Sequence, residues 1–163
     1  MKVIGIAFSD LHLGEYSKFN EDNKRTLNHI RVLYLIKDLC IKYKCPAFFC
    51  GDFMHRPEFI STSLDEIIIE QFEELNRYEE FNIYGISGNH CMPKANTIEH
   101  RSPSHWANLC RRYSFLHNID FSYHDFGKFR VVGIPYIDHN NGLDGLIKSE
   151  LKEDMIKTNI LLL

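Results

Sequence analysis

The sequence predicts an α/β fold whose first sheet is largely parallel. Three observations carry this. Short apolar runs of strand length occur at residues 3–8, 46–50 and 82–87. Between them lie stretches with apolar residues every three or four positions, the spacing of a helix with one buried face. A length of 163 residues suits one domain, since about 150 residues per domain is a fair prior. Strands alternating with helices join most readily by right-handed crossovers, which set successive strands parallel.

The elements follow in order. The run at 3–8 closes at Ser9-Asp10 and reads as a buried strand. A helix starts near Asp22 or Asn23, with Ile30, Leu33, Ile36, Cys40 and Tyr43 on one face. The strand at 46–50 ends in Gly51-Asp52. Ser63 opens a second helix, where Glu66 three residues on completes a capping box. Leu64, Ile67, Ile68, Phe72, Leu75 and Tyr78 form its apolar stripe. The strand at 82–87 runs into Gly88-Asn89-His90, and a short helix covers 104–112. Two strands at 121–126 and 129–136 meet across Gly127-Lys128, where glycine first suits a tight hairpin. A helix at 143–156 and a strand at 159–163 complete the pattern.

Composition excludes several classes. At 44% hydrophobic and 25% charged, the chain has the balance of an ordinary globular domain. No apolar run approaches the roughly 20 residues of a membrane helix, and the first eight residues are too short for a signal peptide. A net charge of −3 argues against holding nucleic acid by bulk charge alone. The five cysteines lack any CxxC spacing; they read as small core residues in a reducing, cytoplasmic setting. Arg101, Arg111 and Arg112, with Trp106 and Tyr113, form either a phosphate-contacting patch or, more simply, a solvated helix face. His29 reads as a surface residue on its helix.

Three polar clusters stand directly after the first three strands: Asp10-Leu11-His12, Gly51-Asp52 and Gly88-Asn89-His90. In an open α/β sheet, ligands collect at the carboxyl ends of strands, so parallel strands would bring all three to one rim. A shuffled chain of this composition would carry Gly-Asn-His only about 0.04 times, whereas Asp-x-His and Gly-Asp are each expected about 0.5 times. Carboxylates, an imidazole and an amide oxygen make a mixed N/O donor set for Mn²⁺, Fe²⁺ or Zn²⁺. Two such ions about 3.5–4 Å apart can clamp an in-line displacement at phosphorus. Asp52 is the candidate bridge, Asp10 and His12 hold one ion, and Asn89 holds the other. His90 then faces substrate as a charge stabiliser or general acid.

These motifs resemble the calcineurin-like metallophosphoesterase superfamily, whose pattern runs Asp-x-His, Gly-Asp, Gly-Asn-His and later histidines. Gly51-Asp52-Phe53-Met54-His55, followed by Pro57, is similar to the Gly-Asp-Leu-Phe-His stretch of the SbcD-type DNA repair nucleases and their phage recombination counterparts. Gly133-Ile134-Pro135-Tyr136 resembles a later segment of that branch, and the Asp-Arg-Gly of protein phosphatases is absent. The resemblance spans nearly the whole chain. It implies an α/β/β/α sandwich, incomplete at the C-terminus, as the N-terminal part of one domain over residues 1–163. It implies two Mn²⁺ ions on Asp10, His12, Asp52 and Asn89, with His90 catalytic and His55 a second substrate-side histidine. It further implies phosphodiester hydrolysis of DNA and an SMC-like ATPase partner.

Cys91 stands where the family mostly has aspartate, and the family's later Gly-His-x-His has no counterpart before Leu163. The chain is therefore expected to be an N-terminal fragment or truncated product that binds metal weakly and turns DNA over slowly or not at all. Its last apolar strand invites pairing with a second copy. Two other readings stay open: a phosphodiesterase or protein phosphatase acting on non-DNA substrates, and a degenerate, non-catalytic scaffold.

Overall fold

The computed structural model describes residues 2–14, 16, 21–55, 61–91, 104–136 and 158–162. Four short strands, β1 (Ile6–Phe8), β2 (Ala47–Phe49), β3 (Ile83–Gly85) and β4 (Leu116–Asn118), form one sheet in that order. All three pairings are parallel. The helices α1 (Lys24–Tyr43), α2 (Thr62–Leu75) and α3 (His105–Arg112) are the crossovers between successive strands. The chain is thus an α/β protein with a parallel sheet, as the alternation predicts.

Side chains that alternate along a strand divide between two cores. Phe49 joins Leu33 and Ile36 of α1, Leu64 and Phe72 of α2, and Trp106 of α3 on the helical face. Its neighbour Phe48 points the other way and packs with Ile86, Ile119, Val131 and Leu162. This second core lies against a three-stranded sheet ordered β5 (Ser122–Asp125), β6 (Phe129–Gly133), β7 (Thr158–Leu162). The described residues therefore stack as helices, parallel sheet and second sheet.

The β5/β6 pair is the expected antiparallel hairpin. Gly127 takes φ +80, and its N–H donates to Asp125 Oδ1 at 2.7 Å. The last strand is found one residue earlier than predicted, at the edge of the second sheet, and it runs parallel to β6. Parallel neighbours need a crossover between them; the predicted helix at 143–156 lies outside the described residues.

Four other expectations differ from the structure. First, β4 has no strand signature, because three residues with a histidine and an asparagine carry no period. Backbone pairing with β3 defines it. Second, the N-cap of α2 stands two residues before the predicted one. Ser61 Oγ, not Ser63, accepts the Leu64 N–H at 3.3 Å. Ser61, Thr62 and Ser63 are all good N-caps, and spacing alone does not choose among them. Third, Tyr43 is 42% exposed and Tyr78 lies past the end of α2, so both apolar stripes stop one turn early. Fourth, Trp106 is 0% and Tyr113 4% exposed, so neither joins a solvated or phosphate-binding face. Arg111 and Arg112 are exposed, and Arg101 lies outside the described residues. Among the described residues, no helix is long and apolar enough to cross a membrane.

Candidate metal centre

The loops after β1 and β2 stay zipped together beyond the strands. Asp10 N–H donates to the Gly51 carbonyl at 3.1 Å, His12 N–H to Asp52 at 2.9 Å, and Leu13 N–H to Phe53 at 2.8 Å. His55 N–H returns to the Leu13 carbonyl at 2.8 Å. Core anchors alternate with polar residues along both loops. Leu11, Leu13, Phe53 and Met54 are buried, whereas Asp10 is exposed and His12, Asp52 and His55 are half-buried at the rim. Each anchor's burial is worth about 1.5–3 kcal/mol, which fixes the loop and hence the polar side chains between.

The backbone at this rim is unusual. Asp10, His12 and Asp52 have φ of 56, 45 and 61 degrees, the left-handed region that L-residues avoid at a cost of about 1–2 kcal/mol each. Of the six non-glycine residues in this region among those described, three are candidate ligands. Such conformations persist only where surrounding packing over-determines them.

The third loop closes on the second by contact that only glycine permits. A Cβ on Gly88 would lie 2.1 Å from Asp52 Oδ1 and 2.3 Å from Asp52 N. Gly51, at φ +107, faces Gly88 in turn, and a Cβ there would lie 2.9 Å from Gly88 Cα. The glycines of Gly51-Asp52 and Gly88-Asn89-His90 are thus one steric requirement. Their approach lets the His90 N–H donate to Asp52 Oδ1 at 3.0 Å.

The side chains converge. One ligand atom from each of Asp10, His12 and Asp52 lies within 4.8 Å of the other two. His12 Nε2 is 3.4 Å from Asp10 Oδ1, and Ser9 Oγ donates to Asp10 Oδ2. A second group, His12, His55 and His90, meets the same spacing. The His12 ring centroid is 5.0 Å from that of His90 and 5.8 Å from that of His55. Asn89 begins the 3₁₀ turn Asn89–Cys91, next to the His90 amide that bonds Asp52. All six residues singled out in the sequence therefore stand on neighbouring loops at one rim of the sheet.

Residues not singled out hold these loops. Ser87 N–H and Oγ donate to Asp120 Oδ1 and Oδ2 at 2.8 and 2.6 Å. Ser87 Oγ also meets Ser104 Oγ, the α3 N-cap, at 2.5 Å. Ser87 is fully buried, so this network fixes the residue before Gly88. On the other side, the buried Thr26 Oγ1 donates to the Gly14 carbonyl at 3.0 Å. His29 is half-buried beside the carbonyls of Leu11 and His12, not on the surface as expected. Burial pushes its pKa down, against the pull of those carbonyls. Tyr16 stacks on His55 at 5.3 Å and donates to the His12 carbonyl. Sequence offered one hint of these roles: Ser87 abuts the rare Gly-Asn-His triplet.

Two of the four described cysteines are the core residues expected, and Cys50 and Cys110 are half-buried. Cys40 and Cys45 are buried, and burial pushes the Cys40 thiol up to about 12. Cys50 sits behind the site, its thiol pushed up by burial and by the Asp10 charge. The chain matches no protein-family model and has no significant match among curated proteins.

Proposed function

We propose that this chain is a metal-dependent phosphodiester hydrolase of the calcineurin-like metallophosphoesterase type, acting on DNA as the SbcD-type nucleases do. The carrying observation is that the ligand atoms of Asp10, His12 and Asp52, from two sequence-distant motifs, lie within 4.8 Å of one another with His90 alongside. Helices on one face of the parallel sheet and a second sheet on the other suit the α/β/β/α sandwich of that family.

The donor set fits divalent cations. Two carboxylates and an imidazole are the ligands of Mn²⁺, Fe²⁺ and Zn²⁺, and no thiol joins them among the described residues. Asp10, His12, Asp52 and Asn89 would hold two ions, which when bound supply Lewis acidity toward phosphoryl oxygens and lower the pKa of water. Asp52 Oδ1 takes the His90 N–H, which orients the carboxylate. His90 is exposed at the rim; in this reading it would donate a proton to a leaving alkoxide or stabilise charge on the phosphoryl group. His55, whose ring is 6.0 Å from that of His90 and near parallel to it, lines the same approach. An SMC-like ATPase partner belongs to the same reading.

The test is single-turnover cleavage of bis-p-nitrophenyl phosphate and of end-labelled DNA with excess protein and Mn²⁺. Mn²⁺-dependent product that Asp52→Asn removes supports the reading. Cleavage equal in the variant, or equal in chelator, contradicts it.

A further inference from the structure

His12 belongs to two donor groups at once. With Asp10 and Asp52 it forms an oxygen-rich set; with His55 and His90 it forms a set of three imidazoles. We propose that the three histidines are a second, mutually exclusive metal site, selective for an imidazole-preferring ion such as Zn²⁺, whose occupation inhibits the carboxylate-centred site.

The geometry favours such a set. A tetrahedral zinc with Zn–N bonds of about 2.0–2.1 Å asks for nitrogens roughly 3.4 Å apart. The three ligand atoms are already within 4.8 Å, and His90 is exposed at the end of its loop. His55 is built into position. A Cβ on Gly14 would meet His55 Cβ at 2.7 Å, and the Tyr16 ring stacks on the imidazole at an interplanar angle of 28°. His12 Nδ1 is buried without a hydrogen-bond partner among the described residues, while Nε2 lies 3.4 Å from Asp10 Oδ1. A neutral imidazole has one lone pair to give a metal, so a His12 that serves an ion on His55 and His90 does not at the same time serve one on Asp10 and Asp52. Ligand type decides which set wins: oxygen donors suit Mn²⁺, and imidazoles suit Zn²⁺ and Cu²⁺. Inhibition follows because the same ion ties up His90 and His55, and that consequence alone rests on the hydrolase reading.

The test is calorimetric titration of the intact chain with Zn²⁺ and, separately, Mn²⁺, for wild type, His55→Ala and Asp52→Asn. His55→Ala is expected to weaken Zn²⁺ at least tenfold and leave Mn²⁺ within twofold; Asp52→Asn is expected to do the reverse. Cu²⁺ electron paramagnetic resonance gives an independent readout, with nitrogen couplings from three imidazoles in wild type and two in the variant. His55→Gln replaces His55→Ala if the latter unfolds by circular dichroism. Zn²⁺ affinity unchanged by either His55 variant, or both ions weakened alike, overturns the proposal. An Asp52→Asn variant with undiminished Mn²⁺ affinity would instead sink the hydrolase reading and leave the imidazole site standing.

Discussion

Gly88→Ala is the sharpest perturbation of the candidate centre. The new methyl would sit 2.1 Å from Asp52 Oδ1, more than an ångström short of the 3.4 Å at which ordinary contact begins. It would also meet Asp52 N at 2.3 Å, so rotating the carboxylate relieves only part of the clash. The two loops must part. Parting them breaks the His90 N–H bond to Asp52 Oδ1, a hydrogen bond to a charged group worth about 1.5–3 kcal/mol. Overpacking a tight site costs about 1–3 kcal/mol on its own. Stability is therefore expected to fall by about 2–4 kcal/mol, less than the sum because the movement that relieves one effect causes the other. Loss of an outer partner typically lowers metal affinity about 10- to 100-fold, and Mn²⁺ binding should weaken by that much. Urea denaturation and Mn²⁺ calorimetry measure the two effects. Gly127→Ala is the reference: a Cβ there meets nothing within 4 Å, but φ is +80, so only a backbone cost of about 1–2 kcal/mol is expected. Its Mn²⁺ affinity should match wild type. If Gly88→Ala binds Mn²⁺ as tightly as Gly127→Ala, the close approach of the two loops does not shape the site.

Asp120→Ala leaves the buried Ser87 N–H without its acceptor and should destabilise the fold by about 2–3 kcal/mol, read by urea denaturation, with faster amide exchange at Ser87. Thr26→Val keeps the shape but removes the donor to the Gly14 carbonyl; a loss of about 1 kcal/mol is expected in the same assay. His105 and His117 have pKa values pushed below the ordinary 6.5, in both cases chiefly by burial. Their neutral forms are favoured in the folded state, so their contribution to stability is complete above the unfolded value near 6.5. It is lost as pH falls below that value through the lowered folded ones. Melting temperature should therefore drop on acidification from pH 7 to 5. His117→Gln should flatten that decline, and an unchanged slope would show that His117 does not contribute.

How much of this was legible in the sequence depends on what each element rests on. The parallel sheet was legible because β1, β2 and β3 are apolar runs broken by polar clusters, a purely local signal. Strand β4 was not, because Leu116, His117 and Asn118 owe their conformation to pairing with β3. The rim was legible through residue type: Asp10, His12, Asp52, His55, Asn89 and His90 are all rim residues. Its supports were not. Asp120 reaches Ser87 across 33 positions, and nothing in either residue's neighbourhood announces that pairing. Trp106 and Tyr113 flank a polar helix segment with two arginines, and only the packing of Trp106 on Phe49 and Phe53 and of Tyr113 on Phe72 shows them to be core. The glycine motifs carried a meaning that spacing could not give. Gly51 and Gly88 are there for each other and for Asp52.

Asp10, His12 and Asp52 are proposed to share one divalent cation. Anomalous diffraction from crystals soaked in Mn²⁺, recorded just above the manganese absorption edge, tests it most directly. A peak within bonding distance of donor atoms from all three side chains is expected. Manganese bound elsewhere, with that position blank, would contradict it.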